Sequence, residues 1–219
     1  MARSRAAPAM LLDISRPLSA RTEPWPGDTP FTSEHTWKLG EAGSAVNVSA
    51  ITCSTHIGSH VDAPWHFLPD GATVDRLPLE PFLGPARVID ALGAERTIEP
   101  TERILAQLEG ATRALFRTRD RLDPYAFGHD FAGLAPGLAE ELTRRRFALF
   151  GTDAPSTDAP GSQGLPSHKA LARGGCHILE GLDLTHARPG DYELFALPLR
   201  LEGLDASPVR AVLRTLPPA

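Results

Sequence analysis

The chain has 219 residues, 42% of them hydrophobic and 22% charged, with a formal net charge of −5. That length suffices for one sizeable core, and the composition is ordinary for a globular chain, so a single domain over 1–219 is expected, with 1–9 flexible. The absence of a basic stripe argues against nucleic-acid binding, and no segment approaches the roughly 18 apolar residues of a membrane span.

Two cysteines, Cys53 and Cys176, occur without a Cys-x-x-Cys. They fit a reducing cytoplasm and read as buried small apolar residues, although one disulfide between them stays open. The apolar stretch near the N-terminus is too short for a signal-peptide core and ends at Asp13, so a cytoplasmic, unexported protein is expected.

In chain order, residues 10–20 read as a strand leading into a turn. Pro24-Trp25-Pro26-Gly27-Asp28 is a rigid loop, because two prolines fix φ and glycine permits a turn. Ala45 to Thr55 alternates as a strand does and runs into a histidine segment. Pro69-Asp70-Gly71 marks a turn, and Arg87 to Asp90 a short buried strand. Thr101 to Leu108 is helical, preceded by Pro100 and followed by Gly110. Ala114 to Arg117 is a strand. Leu138 to Arg146 is a helix whose basic last turn suits the helix dipole. A strand at Phe147 to Phe150 leads into a loop at 151–156, and Asp153 and Asp158 flank Ser156 in the stretch after the strand. Active-site and turn-capping roles are both open for these three, and no Gly-x-Ser-x-Gly elbow accompanies the serine. His168 to Ala172 reads as a short helix and His177 to Glu180 as a strand. Tyr192 to Leu201 and Val209 to Leu216 form a terminal antiparallel pair joined by a turn at Gly203 to Pro208. Strands outnumber helices, which predicts an α/β fold with a mixed sheet.

The chemistry concentrates in Ser54-Thr55-His56-Ile57-Gly58-Ser59-His60-Val61-Asp62-Ala63-Pro64-Trp65-His66-Phe67. His56, His60, Asp62 and His66 are all even-numbered. In an extended strand they would project to one face, with Gly58 leaving room there for an ion. The Gly and the Ala-Pro pair argue against a helix. Two imidazoles and a carboxylate in His-x-x-x-His-x-Asp are ligands suited to zinc or manganese, and three ligands leave positions open. Packing alone gives no reason to gather these groups, which are costly to bury unless paired or metallated. His168 and Glu180, at the two ends of one helix-to-strand unit, are further candidates. His35, His129, His177 and His186 have no comparable setting. Trp65, of odd parity, is expected to point away and pack in the core.

The histidine segment resembles the signature of the metal-dependent cyclase-like hydrolases. Leu12 to Ser15, Pro24 to Phe31, Val46 to Val48, Leu77 to Glu80, Leu83 to Ile89, Ile178 to Leu182, and Gly190 to Arg214 are similar to that family too, over roughly residues 10 to 216. The Trp-Pro-Gly-Asp loop and the C-terminal block resemble its formamidase branch. The resemblance implies a swivelling β/β/α domain, a homodimer, and two divalent ions, usually zinc. It assigns His56, His60 and Asp62 to the first ion and His168 to the second, with Asp62 and Glu180 bridging. His66 would be the general acid/base and Trp25 a wall of the substrate pocket. The implied reaction on a small-molecule substrate is hydrolysis of N-formyl-L-kynurenine to L-kynurenine and formate. A sibling hydrolase opening isatin or another cyclic amide is the alternative, and a non-catalytic metal-binding or ligand-sensing protein a further one. Ala159 to Gly164 departs from the family pattern, which bears on substrate preference.

Overall fold

The structure is a computed structural model and describes residues 9–216. The expectation of a flexible 1–9 therefore falls, for residues 1–8, outside the described residues.

Four strands form the centre, β5 (Leu83–Asp90), β7 (Arg113–Arg117), β9 (Leu149–Thr152) and β10 (His177–Glu180), paired in parallel in that order. Neighbouring residues alternate between two cores, as the period-2 geometry of a strand requires. Val88, Leu115, Leu149 and Leu179 enter one core; Ile89, Phe116, Phe150 and Ile178 enter the other. The second core is closed by helices α1 (Glu102–Gln107), α2 (Pro136–Arg144) and α3 (Pro166–Arg173), which contribute Ile104, Leu138, Leu142 and Leu171. Thr101 caps α1, its side chain accepting from the Ile104 amide. Parallel neighbours need crossover connections, and these helices supply them.

Antiparallel strands extend the sheet on both sides. Beyond β5 lie β11 (Gly190–Phe195), β13 (Val212–Thr215) and β1 (Leu11–Asp13); beyond β10 lie β4 (His60–Asp62) and β12 (Ala206–Pro208). The nine strands form the expected α/β mixed sheet. Two further pairs stand apart: β2 (Thr32–Trp37) with β3 (Val48–Thr52), antiparallel, and β6 (Thr97–Ile98) with β8 (Gly133–Leu134), parallel.

Several expectations are corrected. The histidine segment is not one strand: only His60–Asp62 is extended, Gly58 at φ +65° turns the chain before it, and Pro64–His66 is a 3-10 turn after it. The terminal pair is antiparallel as expected, but its strands are shorter, and the linking turn contains β12. Trp65 is not in the core; it is 47% exposed. Both cysteines are free, but only Cys176 is buried, Cys53 being half-buried. Strand β2 was not anticipated, and every residue of the β2–β3 hairpin strands is exposed.

Candidate metal centre

Strand β4 carries His60 and Asp62 on one face while Val61 between them enters the core. Its neighbour β10 sets Glu180 directly opposite His60 in the ladder. Glu180 is the last residue of β10, at the carboxyl end of the parallel strands, where α/β sheets place their ligands. Serine and glycine hold this junction together. Ser59 Oγ donates to the Gly181 carbonyl at 2.7 Å, and Gly181, at φ +65°, passes so close that a Cβ there would lie 2.1 Å from the Gly58 carbonyl oxygen.

The turn at Gly58 folds His56 back toward the strand. Its Nδ1 stands 3.0 Å from Asp62 Oδ1, and His60 Nε2 is 3.4 Å from the same oxygen. His168, in the first turn of α3, brings Nε2 to 3.5 Å from Asp62 Oδ2 and 3.2 Å from Glu180 Oε1. Glu180 Oε2 lies 3.5 Å from His60 Nε2. Each carboxylate therefore spans histidines with its two oxygens. All five predicted ligands meet in one place.

The outward nitrogens of the three histidines are each anchored. His60 Nδ1 lies 3.0 Å from the Gly58 carbonyl, which can only accept, so Nδ1 carries the proton and Nε2 is bare in the neutral ring. His168 Nδ1 donates to Asp158 Oδ2 at 2.6 Å. Asp158 also accepts from the Ser167 and His168 amides at 3.0 and 3.1 Å, so one carboxylate caps α3 and orients its histidine. His56 Nε2 donates to Asp205 Oδ2 at 3.0 Å. Carboxylate or carbonyl partners on the far nitrogen are the arrangement that fixes tautomer and aim in metal-binding histidines.

The residues fit a cation. Asp62 Oδ1 is fully buried and, among the described residues, accepts no hydrogen bond despite the nearby imidazoles. A buried carboxylate oxygen left without a partner is costly. Ligand atoms of His60, Asp62 and Glu180 lie within 4.8 Å of one another, as do those of His56, Asp62 and His66. Oxygen and imidazole donors without thiolate suit zinc or manganese. The charge balance points the same way. Burial would lower the His60 pKa, but Asp62 and Glu180 raise it to about 10. Burial is likewise overcome at His168, held well above the ordinary value by Asp158, Asp62 and Glu180. Conversely, burial and Asp62 would raise Glu180, yet His168 and His60 hold it down at about 2. The cluster binds positive charge strongly, as protons when nothing else is present.

His66 stands at the rim. Its ring centroid is 4.1 Å from that of His56, and Nδ1 is 3.5 Å from Asp205 Oδ2. Burial lowers its pKa, so the ring is neutral and can accept a proton near pH 7. Beyond the cluster a cavity of about 470 Å³ opens, lined also by Trp25, Phe127, Ser156 and Arg16. Trp25 meets Phe127 edge-on, with ring centroids 5.0 Å apart, and forms the expected pocket wall. Ser156 lines the cavity, and among the described residues its side chain makes no hydrogen bond to a base. Asp153 holds the backbone and hydroxyl of Thr118 and the amide of Arg119, a loop-capping role. Sequence reasoning assigned no role to Asp205, Phe127 or Arg16 and left Asp158 open. Asp205 lies inside the C-terminal block that carries the family likeness.

The Cyclase family model matches residues 12–159, and the chain belongs to that family. Solved structures agree over nearly its whole length. A potential metal-dependent hydrolase with cyclase activity is 29% identical, with a TM-score of 0.80 and coverage of 96% of this chain and 100% of that one. A predicted metal-dependent hydrolase from Bacillus stearothermophilus is 28% identical, with a TM-score of 0.78 and coverage of 95% and 99%. Isatin hydrolase A from Ralstonia solanacearum is 26% identical, with a TM-score of 0.81 and coverage of 95% and 92%.

Proposed function

We propose that this protein is a metal-dependent amide hydrolase of the kynurenine formamidase type, converting N-formyl-L-kynurenine to L-kynurenine and formate. The observation that carries the reading is the pair of buried carboxylates, each spanning histidines whose far nitrogens are anchored, beside one histidine left over at the mouth of an aromatic-walled cavity.

His56, His60 and Asp62 would hold one ion and His168 a second, with Asp62 and Glu180 shared; zinc fits best, and manganese also suits the donor set. A divalent cation there supplies a positive charge that acidifies water and polarises an amide carbonyl. The remaining work belongs to the chain. Trp25 and Phe127 hold the aryl ring, so that the formamide reaches the cluster. Water adds its oxygen to the formyl carbon as His66 Nε2 takes its proton. The C–N bond then breaks, and His66 returns that proton to the departing aryl amine. Asp205, 3.5 Å from His66 Nδ1, steadies the imidazolium between these two events. Opening of a cyclic aryl amide is the second reading, favoured by the likeness to isatin hydrolase A. The same ligand set would serve either.

The proposal includes a homodimer and a cytoplasmic setting. The exposed hairpin, with Trp37 57% and Ile51 63% exposed, supports an apolar contact between two copies.

The test is hydrolysis of N-formylkynurenine and of isatin by the purified protein, before and after chelation and with zinc or manganese restored. Metal-dependent formamide turnover is expected, and His66→Ala should keep metal and fold while losing most of it. Turnover of isatin alone would sink the formamidase reading; near-wild-type turnover by the alanine variant would remove His66 from the mechanism.

A further inference from the structure

Arg16 is an arginine at a position where a buried charge needs a reason. It is only 7% exposed, yet it lines the same cavity as the metal cluster. Its amide donates to Ser59 Oγ at 2.9 Å, which ties its backbone to the residue before His60. Its side chain runs the other way. Nε donates to the Pro124 carbonyl at 3.1 Å, and Nη2 donates to the carbonyls of Asp123 and Ala126. Nη1 makes no hydrogen bond among the described residues. The carboxylates of Asp183, Asp123 and Glu23 act on the guanidinium through space without hydrogen-bonding to it, and Arg119 opposes them. Arg16 keeps its proton at neutral pH whatever burial does.

The cavity lining therefore combines the histidine-carboxylate cluster, the edge-on pair Trp25 and Phe127, the buried Arg16 and the exposed Glu23. Glu23 Oε2 accepts from the Phe127 amide at 2.8 Å, which fixes the carboxylate against the aromatic wall, and Oε1 makes no hydrogen bond among the described residues. A fixed guanidinium with a spare donor and a fixed carboxylate with a spare acceptor are complementary to an α-amino acid group, anion to Arg16 and ammonium to Glu23.

Resting on the formamidase reading, we infer that Arg16 and Glu23 form a subsite for the zwitterionic tail of the substrate, so that the pocket selects aryl amides bearing an amino-acid side arm over neutral ones such as isatin. A buried guanidinium facing a neutral ligand is left with an unmet donor, and that penalty is the source of the discrimination. Arg16 and Glu23 act on binding and take no part in the proton transfers.

The experiment is calorimetric binding to the full chain as purified, with three ligands. L-Kynurenine has the whole tail, 4-(2-aminophenyl)-4-oxobutanoate has the carboxylate only, and 2-aminoacetophenone has neither charge. Wild-type protein should bind kynurenine about 10- to 100-fold more tightly than the ketone, the scale expected of a charge-assisted pair. Arg16→Gln should erase the advantage of both acids over the ketone, Arg16→Lys should retain part of it, and Glu23→Gln should bring kynurenine down toward the oxobutanoate. Equal wild-type binding of acid and ketone overturns the inference, and so does an Arg16→Gln protein that weakens all three ligands alike. The latter would mean that Arg16 serves only to pin residues 123–126. Should the glutamine variant fail to fold, a lysine variant with an undiminished ratio overturns it as well. A wild-type protein that hydrolyses no formamide but shows the Arg16-dependent preference sinks the formamidase reading and leaves the subsite standing. Formamide turnover without the preference does the reverse.

Discussion

Three imidazoles face inward here because something holds each from outside. Asp158 is the tightest of those holds, since it fixes both the ring of His168 and the helix end that carries it. Asp158→Asn keeps the size and loses the charge. It should weaken metal binding about 10- to 100-fold, the usual cost of losing an outer carboxylate, measured by competition with a chromogenic chelator. An unchanged affinity would show that α3 alone aims His168. Three of the inward residues, His56, His60 and Asp62, were legible in the sequence because they crowd into seven positions with His66 just beyond. Asp158 and Asp205 were not, because an acid has no visible partner until the fold brings one. Asp205 meets His56 from across 149 positions.

Strands and helices were legible where their own side chains decide them. β10 matches its expected bounds, and α1 and α3 lie within a residue or two of theirs. The histidine segment was misread because strand parity was carried through Gly58, whose positive φ breaks the alternation. The correct residues still converged, since His60 and Asp62 do keep parity and the turn returns His56 to them. The β2–β3 hairpin shows the opposite failure. Its alternation is real, but both faces are exposed, and an isolated two-stranded hairpin is marginal in water. Under the proposed homodimer this hairpin is the contact between copies, and Ile51→Lys should shift dimer to monomer in light scattering. A wild-type protein already monomeric at micromolar concentration would refute the hairpin contact.

At the scale of the molecule, the cluster ties stability to pH. The folded pKa of His60 is raised to about 10, so without metal its pairing with Asp62 and Glu180 stabilises fully below about 6.5 and is lost as pH rises from there toward 10. Glu180, held at about 2, contributes above about 4.5 and is lost on acidification toward 2. Metal binding needs the same histidines neutral, so the ion competes with protons. The gain in thermal unfolding midpoint on adding zinc should accordingly grow as pH is raised from 6.5 to 8.5. A gain that stays flat or shrinks would mean the cluster is not where the zinc binds. Among the described residues no helix is long and apolar enough to cross a membrane. The mixed sheet itself was foreseeable from the excess of strands over helices. The edge strand β12 was not, because Ala206-Ser207-Pro208 looks like a turn until β4 is there to pair with it.

The pairing of His60 with Glu180 joins positions 120 apart in the chain on adjacent strands, with β5, β7 and β9 made from the residues between. A growing polypeptide that has emerged only as far as the histidine segment holds three imidazoles and an aspartate in an open, unshaped length. Its counterpart is not yet synthesised. Closure must wait for β5, β7 and β9 to be laid down in parallel, the slowest kind of contact to form. Capture of an ion by the complete ligand set would thus be a late event, since Glu180 must be made and β10 paired with β4 first.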